Sequence, residues 1–229
     1  MIRVIVPTMW KYPPFWEFVE CILKVDVITE FVIINNDEVN TPNLEILKHP
    51  KISIINFGKN IYVNPAWNCG SMGGDAEILC MLNDDLIFDT KVFYRISKLL
   101  IENLGCFCLS ENRPDQEYPK NTGEIQFVPF INHEVSDRYG YGVLFFIHRK
   151  NWIDIPDKLK VFFGDNFVFD QCYFRGLQNF MITNLFHYHA GAQTSANINK
   201  GNVVVNKEHV IYFNEISPLL LKNDFKGLI

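Results

Sequence analysis

Four short apolar runs, three of which close in a cluster of polar residues, constrain this chain more than any other feature. Ile2 to Val6, which is β-branched, Phe31 to Ile34, Ile52 to Phe57 and Ile78 to Leu82 are apolar and too short for core helices. They are followed by Pro7-Thr8, Asn35-Asn36-Asp37, Gly58 and Asn83-Asp84-Asp85. Between the first two, Phe15, Phe18, Val19, Ile22 and Leu23 recur at helical spacing. Thr41-Pro42 and Asn64-Pro65 each resemble an N-cap followed by a first helical position. Strands alternating with helices predict an α/β fold with a mostly parallel sheet, whose ligand site lies along the carboxyl ends of the strands.

Pro7 has no N–H to give a central ladder, so the first strand is expected to stop before it. Later segments are less regular. Thr90 to Asn103 reads as an amphipathic helix with Asp89 as cap and Gly105 beyond its end. Glu111 to Gly123 reads as a polar loop, Tyr141 to Ile147 as a strand and Asp165 to Gly176 as a helix. Met181 to Leu185 is a short strand, His187 to Ser195 a loop, and the tail from Asn206 a helix. No repeat, low-complexity tract or shift in composition divides the 229 residues, so a single domain over 1–229 is expected.

Composition narrows the function. With 48% hydrophobic and 21% charged residues the chain can bury a core, and a net charge of −5 excludes a surface that is basic throughout. Six scattered cysteines without a CxxC pair read as reduced core residues of a cytosolic protein. Neither a signal peptide nor an apolar stretch of membrane-spanning length is evident, which predicts a soluble, cytoplasmic protein.

Asn83-Asp84-Asp85 is the most informative polar cluster. Adjacent residues on a strand face opposite ways, so both carboxylates serve one site only where the chain bends off the sheet. Such a bend suits a hard divalent cation that also accepts phosphate oxygens; the competing reading is a solvated acidic turn.

In this ordered set of motifs the chain resembles the inverting family-two glycosyltransferases of the GT-A fold. The residues that carry the resemblance are Val4-Ile5-Val6-Pro7-Thr8, Asn35-Asn36-Asp37, the pair Asn60 and Asn68 with Gly70, and Leu82-Asn83-Asp84-Asp85. Weaker matches follow at Phe163-Gly164-Asp165-Asn166 and at His189-Ala190-Gly191 leading to Thr194 and Ser195. The chain departs from the pattern at Gly164, which stands in an acidic pair, at Asn35, where Asp is expected, and at Tyr62, where Gly is usual. It also lacks the Gln-x-x-Arg-Trp segment of processive polysaccharide synthases.

The resemblance implies a non-processive transferase of a hexosyl or pentosyl group from a nucleoside-diphosphate sugar, with UDP favoured, and a divalent cofactor, Mn²⁺ or Mg²⁺. Residues 1–105 would form the nucleotide-sugar-binding half, 106–200 the acceptor and catalytic half, and 201–229 a helical tail. Asp85 would bind the metal directly, with His189 as a further ligand and His187 as its substitute. Asp84 would face the ribose or the metal's outer shell, with Asn83 beside it. Pro7, Thr8, Asn36 and Asp37 would line the nucleotide base, and Asn60, Trp67 and Asn68 would close that side. Asp165, at a helix start that stabilises an anion, would be the general base, with Asp170 the fallback.

Trp10, Tyr12 and the loop from Glu111 to Gly123 would reach the acceptor, a glycan or a hydroxymethylated DNA base. DNA would require a basic strip from Lys11, Arg113, Lys120, Arg138, Arg149 and Lys150. The Asn, Ile, Phe and Lys content fits an AT-rich genome, and compact transferases of this type occur in viruses, phages and bacteria. The non-enzyme alternative is a nucleotide-sugar or glycan-binding module.

Overall fold

The computed structural model describes residues 1–37, 42–109, 123–130, 142–191, 203–224 and 227. β1 (Ile2–Thr8), β2 (Ile28–Asn35), β3 (Ile52–Asn56) and β4 (Ile78–Leu82) form the parallel half of an eight-stranded sheet. β6 (Phe107–Leu109), β7 (Gln126–Phe130), β8 (Leu144–His148) and β9 (Asn179–Thr183) complete it in the order β3-β2-β1-β4-β8-β6-β9-β7. β8 and β7 run against the other six strands, so the sheet is mixed but mostly parallel, as expected. β5 (Leu86–Phe88) and β10 (His187–His189) pair separately as an antiparallel ribbon.

Alternation along the central strands sorts their side chains between two apolar layers. Val4, Val6, Phe31, Ile33, Cys80 and Leu82 face α1 (Pro13–Leu23) and α3 (Lys91–Leu99). Ile5, Val32, Ile34, Leu79, Met81 and Phe145 face α2 (Val63–Ser71), α4 (Gly164–Phe174) and the C-terminal helices. Those are α5 (Val203–Ile211), a π-helical segment Tyr212–Ile216, and α6 (Ser217–Leu221). Strands covered on both faces can be apolar throughout, and every residue of β1 and β4 is buried. Among the described residues no helix is long and apolar enough to cross a membrane.

Several sequence expectations are corrected. β1 continues through Pro7, which pairs with Ile34 of β2. Proline is tolerated there because the ladder to β4 stops at Ile5–Met81, leaving no partner that needs the missing N–H. Pro42 leads to a 3₁₀ turn, Glu45–Lys48, rather than an α-helix, and Thr41 lies outside the described residues. Asn64 is not the cap of α2, because the helix starts at Val63 after Tyr62. The segment from His187 is a strand where a loop was expected. Cys21 is exposed and Cys69 partly so, unlike the other four cysteines, which are buried.

Candidate active site

Because β1 to β4 are parallel, Thr8, Asn35, Asn36 and the Asn83–Asp85 turn all gather at one edge of the sheet. Beyond Leu82 the Asn83 N–H still bonds the Val143 carbonyl at 3.0 Å, and the chain then bends away. That bend sends the two carboxylates to different neighbours. Asp84 turns towards β1, where the Thr8 hydroxyl donates to its Oδ2 at 2.5 Å and the Met9 N–H adds a second bond. Burial pushes the Asp84 carboxyl up to about 6, against the pull of the Thr8 bond and with a further push from Asp85.

Asp85 turns the other way and is 7% exposed. The ribbon pairs His189 with Leu86, and the Ala190 N–H bonds the Asp85 carbonyl at 2.9 Å. Its register places His189 Nε2 3.0 Å from Asp85 Oδ1 across 104 residues of sequence. Of the two histidines considered as ligands, His189 is therefore the one in reach of Asp85. The His187 ring is engaged by its own chain, with Nδ1 2.9 Å from the Leu185 carbonyl.

Two ligands on neighbouring corners of an octahedral ion, with bonds of about 2.1 Å, lie about 3.0 Å apart. A carboxylate and an imidazole at 3.0 Å thus fit a borderline-hard divalent ion such as Mn²⁺ or Mg²⁺. Among the described residues no group of three or more His, Cys, Asp or Glu is arranged to hold a metal. Asp85 and His189, hydrogen-bonded to each other here, are thus a candidate pair of ligands rather than a closed cage, and an ion shared with a substrate phosphate needs only such a partial set.

Asp165 occupies the first turn of α4, and the Asn166 N–H bonds its Oδ1 at 2.9 Å. A Cβ built on Gly142 would stand 3.2 Å from Asp165 Oδ2 and 3.2 Å from the Trp67 ring. Asp165 therefore lies over the backbone next to Val143, the residue bonded to Asn83, and so belongs to the same edge as the carboxylate turn. Gly164 is small for a local reason: Asn64 Oδ1 occupies the place its Cβ would take. Asp170, by contrast, is 6% exposed and accepts from the Tyr212 hydroxyl, so the fallback base is committed to packing α4 on the C-terminal helices.

The asparagines divide by partner. Asn36 accepts from Ile61 N–H at 3.2 Å and donates to the Tyr62 carbonyl at 3.4 Å, and Asn60 accepts from Tyr62 N–H at 2.8 Å. Together they hold Tyr62 at φ 69° and ψ 178°, a region in practice reserved for glycine, which explains why glycine is usual there. Asn68 is a structural tie, because both of its side-chain heteroatoms bond the Ile155 backbone, at 2.9 and 2.8 Å. Gly70 follows because a Cβ there would overlap Ile5 of β1.

Trp10, expected on the acceptor side, is tied to the ends of β1 and β2. Its indole donates to Asn35 Oδ1 at 2.8 Å, and its own N–H bonds the Thr8 hydroxyl at 2.8 Å. Asp37 shares that edge through its N–H, 2.9 Å from Asn35 Oδ1. Tyr12 lies near Asp85 and Tyr188, and its hydroxyl is raised by desolvation first and then by both neighbours. Arg149 and Lys150 follow β8 at the opposite edge of the sheet. Arg149 binds the Ala76, Ser71 and Gly73 carbonyls and Lys150 pairs with Glu102, so neither extends a basic strip to this site. Arg113, Lys120, Arg138, Thr194, Ser195 and 111–122 of the polar loop lie outside the described residues. Sequence reasoning missed Gly142 and Asn64; the first fell inside the strand expected from Tyr141 to Ile147, and the second mimics a cap.

The chain matches no protein-family model and no curated protein sequence. Its α/β fold, GT-A-like in architecture, is shared with solved structures. One is the mannosyltransferase PcManGT from Pyrobaculum calidifontis in complex with GDP-Man and Mn²⁺, at a TM-score of 0.57 and 13% identity over 99% of this chain and 73% of that one. Another is S. aureus TarS 1–349, at a TM-score of 0.57 and 12% identity over 98% of this chain and 76% of that one.

Proposed function

We propose that this chain is a metal-dependent glycosyltransferase that moves a sugar from a nucleoside-diphosphate sugar to an acceptor hydroxyl with inversion, one residue at a time. The observation that carries the proposal is the meeting of Asp85 and His189 at 3.0 Å, at the edge where four parallel strands end. The shared fold adds support, since one structure that shares it is a mannosyltransferase holding GDP-Man and Mn²⁺.

Asp85 and His189 would hold the ion, Mn²⁺ or Mg²⁺, whose chemistry is to neutralise charge on a departing diphosphate. Thr8, Asn36, Asp37, Asn83 and Asp84 would receive the nucleoside, with Pro7 and Trp10 shaping that edge and UDP the first donor to test. Asn60 and Asn68 would set the shape of the pocket wall rather than touch the donor. Asp165 would take the proton from the acceptor hydroxyl, from its place in the first turn of α4. Trp67 beside it excludes water from one flank, being 3% exposed. The arrangement of Tyr12 and Tyr188 near Asp85, with no basic strip contributed by Arg149 and Lys150, favours a glycan acceptor over DNA.

The test is a panel of nucleoside-diphosphate sugars with and without Mn²⁺, read as diphosphate release. Metal-dependent release from one donor, lost in Asp165→Asn when acceptor is supplied, is expected. Donor binding without turnover under every condition would convert the assignment to a non-catalytic binding module.

A further inference from the structure

The C-terminal helices hold a buried carboxylate that the proposed chemistry does not use. Glu208 of α5 is 4% exposed, and its two oxygens accept the N–H groups of Lys160 at 3.0 Å, Val161 at 3.2 Å and Phe162 at 2.7 Å. A carboxylate buried at that depth needs such donors to offset its lost hydration. What it holds is the segment leading directly into α4.

The same segment is gripped from the other side by α2. The Asn64 N–H bonds the Lys160 carbonyl at 3.0 Å, and its side-chain amide bonds the Phe162 carbonyl at 3.2 Å. Between the two grips the chain turns through Phe163, a non-glycine residue at φ 59° and ψ 5°. The left-handed region is unfavourable for a bulky side chain and persists only when its surroundings over-determine it. Here the Phe163 ring is stacked on Tyr212 at 5.4 Å and met edge-on by His209 at 5.6 Å, both from the C-terminal helices. Gly164 and Asp165 follow at once.

We propose that Glu208 is a positioning residue for sugar transfer: by fixing the amides of residues 160–162 it sets the left-handed turn at Phe163 and thereby aims the Asp165 carboxylate at the acceptor. This rests on the assignment of Asp165 as general base. It makes the C-terminal helices part of the active-site scaffold rather than a tail. The bonds of Thr8, Asn36 and Asp84 at the donor edge run to partners other than Glu208 and residues 160–163, so the proposal separates catalysis from donor binding.

The experiment compares Glu208→Gln, which keeps the volume but loses the charge and one acceptor oxygen, with the parent protein. Circular dichroism checks folding, calorimetry gives the donor Kd with Mn²⁺, and steady-state transfer gives kcat and the donor KM. The expected result is a folded protein whose kcat falls about 10-fold or more while donor Kd and KM stay within about twofold, as displacement of a reacting group by a fraction of an ångström produces. An unchanged kcat, or a donor Kd that weakens in step with kcat, overturns the proposal. Should Glu208→Gln not fold, Phe163→Gly decides by the same readouts, because glycine accepts the left-handed turn without the packing that aims it. Asp165→Asn is run in parallel: if it transfers sugar at the parental rate, the base assignment itself fails, whatever Glu208 does.

Discussion

Replacing Asp84 by asparagine is expected to make the metal-free protein more stable and less able to bind its donor. The Asp84 carboxyl is pushed up to about 6 from an ordinary value of 3.8, chiefly by burial. A carboxyl with a raised folded value binds its proton more tightly in the native state than in the unfolded chain. Stability from this group is therefore full below pH 4 and is lost as pH rises through the window from 3.8 to about 6. At 1.36 kcal/mol per unit, the ionised group costs up to about 3 kcal/mol at pH 7. An asparagine keeps an oxygen for the Thr8 hydroxyl but turns an NH₂ towards donors such as the Met9 N–H, which returns about 1 kcal/mol. The net gain of about 1–2 kcal/mol corresponds to roughly 3–6 °C in Tm for a domain of this size. The assay is thermal unfolding in chelator from pH 4 to pH 7. The variant should melt higher at pH 7, and the two should converge near pH 4, while nucleotide affinity falls at least about 10-fold. A variant no more stable than the parent at pH 7, with the same pH profile, would refute the reasoning.

Gly142→Ala places a methyl group 3.2 Å from both the Asp165 carboxylate and the Trp67 ring. A shift of a few tenths of an ångström should lower kcat by about 3–10-fold with donor affinity unchanged, as read by steady-state kinetics and calorimetry. Tyr62→Gly relieves a residue at φ 69° and ψ 178°, and denaturant unfolding should show a gain of about 1 kcal/mol, after the entropy cost of glycine. Gly70→Ala drives a Cβ into Ile5 of the fully buried β1 and should cost about 1–3 kcal/mol in the same assay. His187→Ala should leave Mn²⁺ binding within about twofold, because its ring is held on the Leu185 carbonyl.

What the sequence made legible is what physical pattern encodes strongly. The parallel half of the sheet follows from four short apolar runs, and β4 spans the same residues, Ile78–Leu82, that its apolar run defines. The carboxylate turn was legible because two acids directly after a buried strand must leave the sheet. The ribbon of β5 and β10 was not, since three-residue strands carry no period, yet it is the element that joins His189 to Asp85. Asn64 was misread as a cap and the tie made by Asn68 was not foreseen, because asparagine serves equally as cap, turn residue or polar tie, and only their partners, the 160–162 segment and Ile155, distinguish these uses. Glu208 was invisible for the opposite reason. On a helix with polar neighbours, nothing in the sequence signals that one carboxylate is buried on three backbone amides.

The central claim is that Asp85 and His189 together hold a divalent ion that a nucleoside diphosphate completes. Electron paramagnetic resonance of Mn²⁺ with the parent protein, Asp85→Ala and His189→Ala, each with and without UDP and GDP, tests it most directly. The account predicts tight binding by the parent only when a diphosphate is present, and a loss of at least about 10-fold in both variants. Equal Mn²⁺ binding by all three proteins would contradict it.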